Sequence, residues 1–316
     1  MSKREGLVSA EECVALGAVA PALDSYPTRE LSLGSLTVFR ALPVKDRRLV
    51  GPWCFLDRFG PLTFAAGKPM DVAPHPHIGL QTVTWLLDGE VLHDDSLDSE
   101  AVLRPGGVNV MTSGGGIAHA EQTPRENIGR LDGVQLWVAL PDDQRSGPAA
   151  FEHVKEVPLV ETSGAAVRVF AGSFGSATSG TTHFSELVGL DVQLHPGRPF
   201  EWPLDPRFEH GLLVLSGDCA FMGQALEPRM FHYIGTSRSA AQLSSRAGAR
   251  VLVIGGPPFA ERILMWWNFV ARTPEEIADA RADWEAGRRF GEVRAYDGPR
   301  LSAPSLLQFA RANPVS

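Results

Sequence analysis

Three imidazoles and one carboxylate stand at matched spacing in this chain, as His75-Pro76-His77 and, later, His119-Ala120-Glu121. In an extended strand, residues two apart project to the same face, so His75 aims with His77 and His119 with Glu121. Two strands that pair, or that face each other across a barrel, would bring both couples around one point. Three nitrogens and one oxygen suit a divalent first-row metal such as Fe, Mn, Ni, Cu or Zn, and the set is too rich in nitrogen for Ca²⁺ or Mg²⁺. The spacing predicts metal chemistry at His75, His77, His119 and Glu121.

Strands are what that geometry needs, and strand signals dominate from about Leu31 to Gly256, in a chain whose 32 Gly and 24 Pro favour a turn-rich, all-β architecture. Thr82-Val83-Thr84-Trp85-Leu86-Leu87 alternates, meets Asp88-Gly89, and resumes at Glu90-Val91-Leu92-His93. An Asp-Gly step between two such runs predicts a hairpin. Val134 to Leu140 is a further strand, stopped by Pro141-Asp142-Asp143, and 142–148 is expected as an exposed loop.

At 316 residues the chain exceeds the usual size of a single core, so two domains are expected. The pattern weakens between Phe151 and His183, and a second strand-rich block begins at Phe184. There, Leu212-Leu213-Val214-Leu215-Ser216-Gly217 and the residues after it echo the Trp85 to Val91 run, a faint repeat that suggests a duplicated barrel. The reading is an N-terminal extension (1–30), a metal-binding barrel (31–150), a linker and start of the second barrel (151–183), and a C-terminal barrel with a helix and tail (184–316). The second half has no His-x-His before its repeat and no His-x-Glu after it. His210 and His232 are therefore expected as hydrogen-bonded structural residues, and the second barrel as metal-free. Thr273-Pro274-Glu275-Glu276 predicts a capping box with Pro at the first helical position. The helix would bury Ile277, Ala280 and Trp284 and end at Gly287.

Hydrophobic content of 44% and charged content of 21% are those of a globular chain, and a net charge of −8 argues against direct binding to a nucleic-acid backbone. No apolar run approaches the roughly 18 residues of a membrane span, and the first residues lack the apolar stretch of a signal peptide. Cys13, Cys54 and Cys219, without a C-x-x-C pair, are expected as free thiols in a reducing cytoplasm.

Leu56-Asp57-Arg58-Phe59-Gly60, the continuous stretch from His75 to Ser96, and Arg104 to Glu121 together resemble the pirin family of the cupin superfamily. Gln135 to Pro141, Asn268-Phe269-Val270 and Thr273 to Glu276 are similar to other parts of that family, so the resemblance runs from about Leu31 to Gly291. It implies two cupin barrels packed face to face, with one metal, usually iron, in the N-terminal barrel. Carried over by position, the ligands are again His75, His77, His119 and Glu121. One departure is Gln81, four residues after His77, where many cupins have Glu; a neutral amide there would leave Glu121 the only anionic ligand and favour an anionic or enolate-forming substrate.

Some pirins resemble quercetin 2,3-dioxygenases in activity, which implies a small flavonol-like aromatic substrate and O₂, with Glu121 as ligand and base. A rival expectation comes from pirins that act as iron-dependent redox sensors and bind a transcription regulator or metabolic enzyme. A metal held only for stability is disfavoured, because three His and one Glu leave coordination positions open. A catalytic barrel should have a mouth and an aromatic lining, for which Phe55, Trp85, Val110 and Met111 are candidates. His93, Asp94 and Asp95 are expected to face solvent or satisfy loop backbone, and Asp57-Arg58 to form an ion pair that supports folding.

Overall fold

The computed structural model describes residues 11–14, 23–33, 36–64 and 71–306. They form five antiparallel sheets and a single helix, Pro274–Glu285. The first large sheet runs, edge to edge, Ala150–Val154, Val108–Thr112, Leu80–Gly89, Arg130–Ala139, Trp53–Thr63, Leu36–Leu42 and Arg29–Leu33. Beneath it lies a four-stranded sheet ordered Asp71–His77, Ile117–Gln122, Val91–Asp95 and Glu100–Leu103.

The second half repeats this plan. Its large sheet runs Leu159–Glu161, Ala165–Phe174, Val188–Leu194, Ala249–Gly256, Glu209–Gly217, Met230–Ile234 and Leu23–Pro27, and its small sheet Phe200–Pro203, Ala240–Ser244, Ala220–Phe221 and Gln224–Ala225. Two barrels result, as expected. The strand Leu23–Pro27, from the start of the chain, closes the edge of the second barrel.

The two large sheets meet face to face. Val83, Trp85, Val134 and Leu136 of the first pack with Phe170, Leu213, Tyr233 and Leu252 of the second in one continuous core. The Trp85 ring stacks on Phe170 at 5.3 Å, and its indole N–H donates to Asp191 of the second barrel at 3.0 Å. Tyr233 and the Gly51 amide both donate to the buried Glu209 carboxylate at 2.6 Å, so this carboxylate is satisfied from both halves.

Asp88-Gly89 is not a hairpin. The strand it ends, Leu80–Gly89, pairs with Val108–Thr112 and Arg130–Ala139, whereas the strand it begins, Val91–Asp95, pairs in the other sheet with Ile117–Gln122 and Glu100–Leu103. The dipeptide is a barrel corner. Gly89 has φ +87°, and a Cβ there would lie 2.2 Å from the Arg130 carbonyl oxygen, so both conformation and space demand glycine. Gly217, at φ +79° and with the Gly248 oxygen 2.2 Å away, turns the equivalent corner of the second barrel.

After the second barrel the chain returns to the first. Ile263–Trp266 and Phe269–Ala271 pair, the Val270 N–H donates to the Ile78 carbonyl at 3.0 Å, and the helix buries Ile277, Ala280 and Trp284 against Ile78, Ala118 and Ala120. Thr273 caps the helix through its hydroxyl, which accepts from the Glu276 N–H, and Gly287 follows the C-cap at φ +69°. The Glu276 carboxylate reaches past the cap to the Arg272 N–H at 2.8 Å, because it also clamps Arg145, so the reciprocal half of the predicted capping box is displaced by one residue. Cys13, Cys54 and Cys219 are buried without a disulfide. Among the described residues no helix is long and apolar enough to cross a membrane.

Candidate metal centre

The strands Asp71–His77 and Ile117–Gln122 are antiparallel neighbours with His75 opposite His119. Period-two alternation turns His75, His77 and His119 inward together, and their rings come within 4.3 to 5.1 Å of one another, centre to centre. One ring nitrogen from each lies within 4.8 Å of the others, and the Nε2 atoms of His77 and His119 are 3.1 Å apart. Such a cluster could hold a metal ion. The register shifts beside Glu121, but the extra residue lies on the Asp71–His77 strand, so Glu121 keeps the face of His119 and lines the same cavity one step further along. Its carboxylate belongs to an adjoining group with His119 and His93, again within 4.8 Å, and it accepts from the Thr84 hydroxyl at 3.3 Å.

Two of the rings have their far nitrogen tied to backbone. His75 Nδ1 donates to the Ala73 carbonyl at 2.9 Å and His77 Nδ1 to that of Asn268 at 3.1 Å, which leaves each Nε2 as a bare lone pair. Burial pushes His75 down to about 4, and burial followed by the neighbouring rings holds His77 and His119 well below the ordinary imidazole range. All three are neutral near pH 7, the state in which imidazole can donate a lone pair. Burial raises the Glu121 carboxyl, with His93 and Thr84 opposing.

The cluster forms one wall of a cavity of about 640 Å³. Phe55 and Trp137 stack in that wall at 4.1 Å, and His77 meets the Trp137 ring edge-on at 5.4 Å. Arg40 lies over Phe55 at 4.5 Å and is held by a bidentate pair with Asp57, at 2.8 and 2.7 Å. Trp266, Trp267 and Asn268, from the segment returning after the second barrel, complete the lining.

Several expectations change. Of the four lining candidates, Phe55 faces the cavity, while Trp85 and Val110 belong to the core between the barrels and Met111 is buried outside the lining. Gln81 is also turned away. Thr82 and Thr84 of its strand face the cavity, so alternation sends Gln81 to the opposite face, where its amide donates to Thr112 of the neighbouring strand and to the Thr182 carbonyl and accepts from His183. Its neutrality therefore says nothing about charge at the site. Asp57 and Arg58, as sequence neighbours on a strand, point to opposite faces; Asp57 pairs with Arg40, and Arg58 with Asp132 and the Leu215 carbonyl. His93, Asp94 and Asp95 are all buried. Asp95 does satisfy loop backbone, accepting from Leu97 and Ser99, but His93 points inward to His119. In the second barrel His232 is hydrogen bonded to Ser25 and the Glu227 carbonyl, as expected, whereas His210 packs against Trp202 and its Nδ1 meets no partner.

A pair of face-to-face β-barrels, one with inward histidines on adjacent strands, defines a two-domain cupin protein. Residues 35–138 match the family described as Pirin, and residues 189–291 the one described as Pirin C-terminal cupin domain. A Pseudomonas aeruginosa protein with the provisional name quercetin 2,3-dioxygenase is 44% identical over 86% of this chain and 87% of its own length. A pirin-like protein of Caulobacter vibrioides is 37% identical over 83% of this chain and 93% of its own. The crystal structure of a quercetin 2,3-dioxygenase from Acinetobacter baumannii superposes with a TM-score of 0.87 at 41% identity, covering 90% of this chain and 96% of that one. The chain belongs to the pirin family.

Proposed function

We propose that this chain is a metal-dependent dioxygenase that opens flavonol-like, enolisable aromatic compounds with O₂, as its relatives' names suggest. The observation that carries the reading is the convergence of three neutral imidazoles on the wall of a cavity large enough for a small aromatic molecule. We assign His75, His77 and His119, with Glu121, as the residues that would hold one divalent transition metal. The donor set fits it, since two of the rings have their Nδ1 committed to carbonyl oxygens and present Nε2 inward. Fe²⁺ is our assignment, and Mn, Ni, Cu and Zn are ions the same donors accept. When bound, the metal supplies Lewis acidity to a substrate oxygen and a path for electrons to O₂.

The remaining steps belong to the chain. Phe55 and Trp137 give the cavity an aromatic lining beside which an aromatic ring system lies, with Trp267 at the returning segment. Burial strengthens the Glu121 carboxylate as a base, and once loosened from the metal it would take the proton of the substrate hydroxyl as the enolate forms. Thr84, bonded to Glu121, keeps that carboxylate aimed. An aromatic-lined cavity at the cluster supports catalysis over the sensor reading, which calls for a closed site beside an exposed docking patch.

Iron-loaded protein under air should consume O₂ when a quercetin-type flavonol is added, with loss of the flavonol absorbance. Silence across a panel of flavonols and catechols, with iron verified by elemental analysis, overturns the proposal.

A further inference from the structure

His119 differs from the other two histidines of the cluster in having no backbone carbonyl behind it. Its Nδ1 instead faces Nδ1 of His93 at 3.4 Å. His93 is buried, lies flat on Phe151 with ring centres 4.1 Å apart and planes 5° from parallel, and directs its Nε2 to the Asp95 carboxylate at 3.1 Å. Asp95 is itself fixed, its other oxygen accepting the Leu97 and Ser99 N–H groups at 2.8 and 3.0 Å.

For singly protonated rings beside an ionised Asp95, these contacts allow one arrangement of protons. An ionised carboxylate only accepts, so Nε2 of His93 carries a hydrogen toward Asp95. A neutral His93 then has a bare Nδ1, which accepts the Nδ1 hydrogen of His119. The Nε2 of His119 is left as a lone pair, 3.1 Å from the Nε2 of His77. Were the His93 proton on Nδ1, His119 would have to carry its own proton on Nε2, pointed into the cluster. We infer that His93, oriented by Asp95 and Phe151, is a positioning residue that fixes the tautomer of His119 and so completes a set of three inward lone pairs. The inference rests on the metal-binding reading above and goes beyond it. It assigns His93 no contact with substrate. Histidine ligands are commonly oriented through the ring nitrogen remote from the metal, and removal of such a partner typically weakens metal binding about 10- to 100-fold.

The test compares wild type with His93→Phe, which keeps a flat ring against Phe151 but neither nitrogen, and His93→Gln, which has one donor and one acceptor. Co²⁺ affinity is measured by competition with a chromophoric chelator, and the ring tautomer of His119 by long-range ¹H–¹⁵N correlation in the metal-free protein. Wild type should bind one Co²⁺ per chain and show His119 protonated at Nδ1. His93→Phe should bind about 10- to 100-fold more weakly and shift His119 toward the Nε2–H form, and His93→Gln should recover part of both. Wild-type affinity and tautomer in His93→Phe overturn the inference while leaving the metal reading intact. Wild-type protein that fails to bind Co²⁺ sinks the metal reading, and this inference with it. If His93→Phe does not fold, the wild-type tautomer decides: a hydrogen on Nε2 of His119 refutes the assignment.

Discussion

The first and second barrels have the same strand order, and they differ in what their corresponding inner strands carry. Where the first has His75 and His77 on the edge strand of its small sheet, the second has Phe200 and Trp202. Where the first has His119 and Glu121 on the next strand, the second has Ala241 and Leu243. Phe200, Trp202, Ala241 and Leu243 are buried in one apolar cluster with Leu190, Val192 and Val253. The same scaffold can thus hold polar groups around a cavity or close on itself as a core. The difference lies in a few inward positions, because the corner glycines, sheet order and mutual packing are common to both.

The largest expected effect separates the two interiors. His119→Ala should abolish stoichiometric metal by elemental analysis while the far-ultraviolet dichroism stays β-like; full retention of metal would break the ligand assignment. Trp202→Ala should do the reverse. It removes a large ring that is 3% exposed, so stability should fall by about 3–5 kcal/mol in chemical denaturation, with metal content per folded chain unchanged.

A smaller effect concerns pH. Burial lowers His210 of the second barrel from the ordinary 6.5 to about 4, against a raising contribution from Asp205. Above pH 6.5 the ring is neutral in folded and unfolded chains alike. As pH falls from 6.5 toward 4 only the unfolded chain takes up the proton, so stability drops by up to about 3 kcal/mol through this one group. Denaturation curves at pH 7 and 4.5 should therefore lie closer together in His210→Gln than in wild type. An equal separation in both would show that His210 is not held neutral. The smallest difference is expected between the corners: Gly89→Ala and Gly217→Ala should each destabilise, and by similar amounts, since each added methyl meets a carbonyl oxygen at 2.2 Å.

Period two made the three clustered histidines readable from sequence, since the spacing that puts two side chains on one face is local. What escaped was set by partners distant in the chain. Asp88-Gly89 has the same turn chemistry whether the next strand pairs back or crosses to another sheet, so local residues could not reveal a corner. The face of Gln81 depended on which side of its strand met the second barrel. His93 sits in a polar run, His-Asp-Asp-Ser, that reads as solvent-exposed until a strand covers it. Alternation alone could have separated Asp57 from Arg58 and grouped Gln81 with Trp85. The Trp266 to Asn268 contribution had no such signal, because it comes to His77 from 191 residues away.

That last contact has a consequence for how the protein comes into being. The carbonyl that orients His77 belongs to Asn268, and the Leu301 N–H seals the Pro74 carbonyl beside His75, while the early strand Leu23–Pro27 waits for the second barrel to receive it. A ribosome that has finished the first barrel has therefore not finished its centre. Each half takes up a segment from the far side of the other, so full assembly of the histidine cluster comes only once Asn268 and Leu301 have emerged.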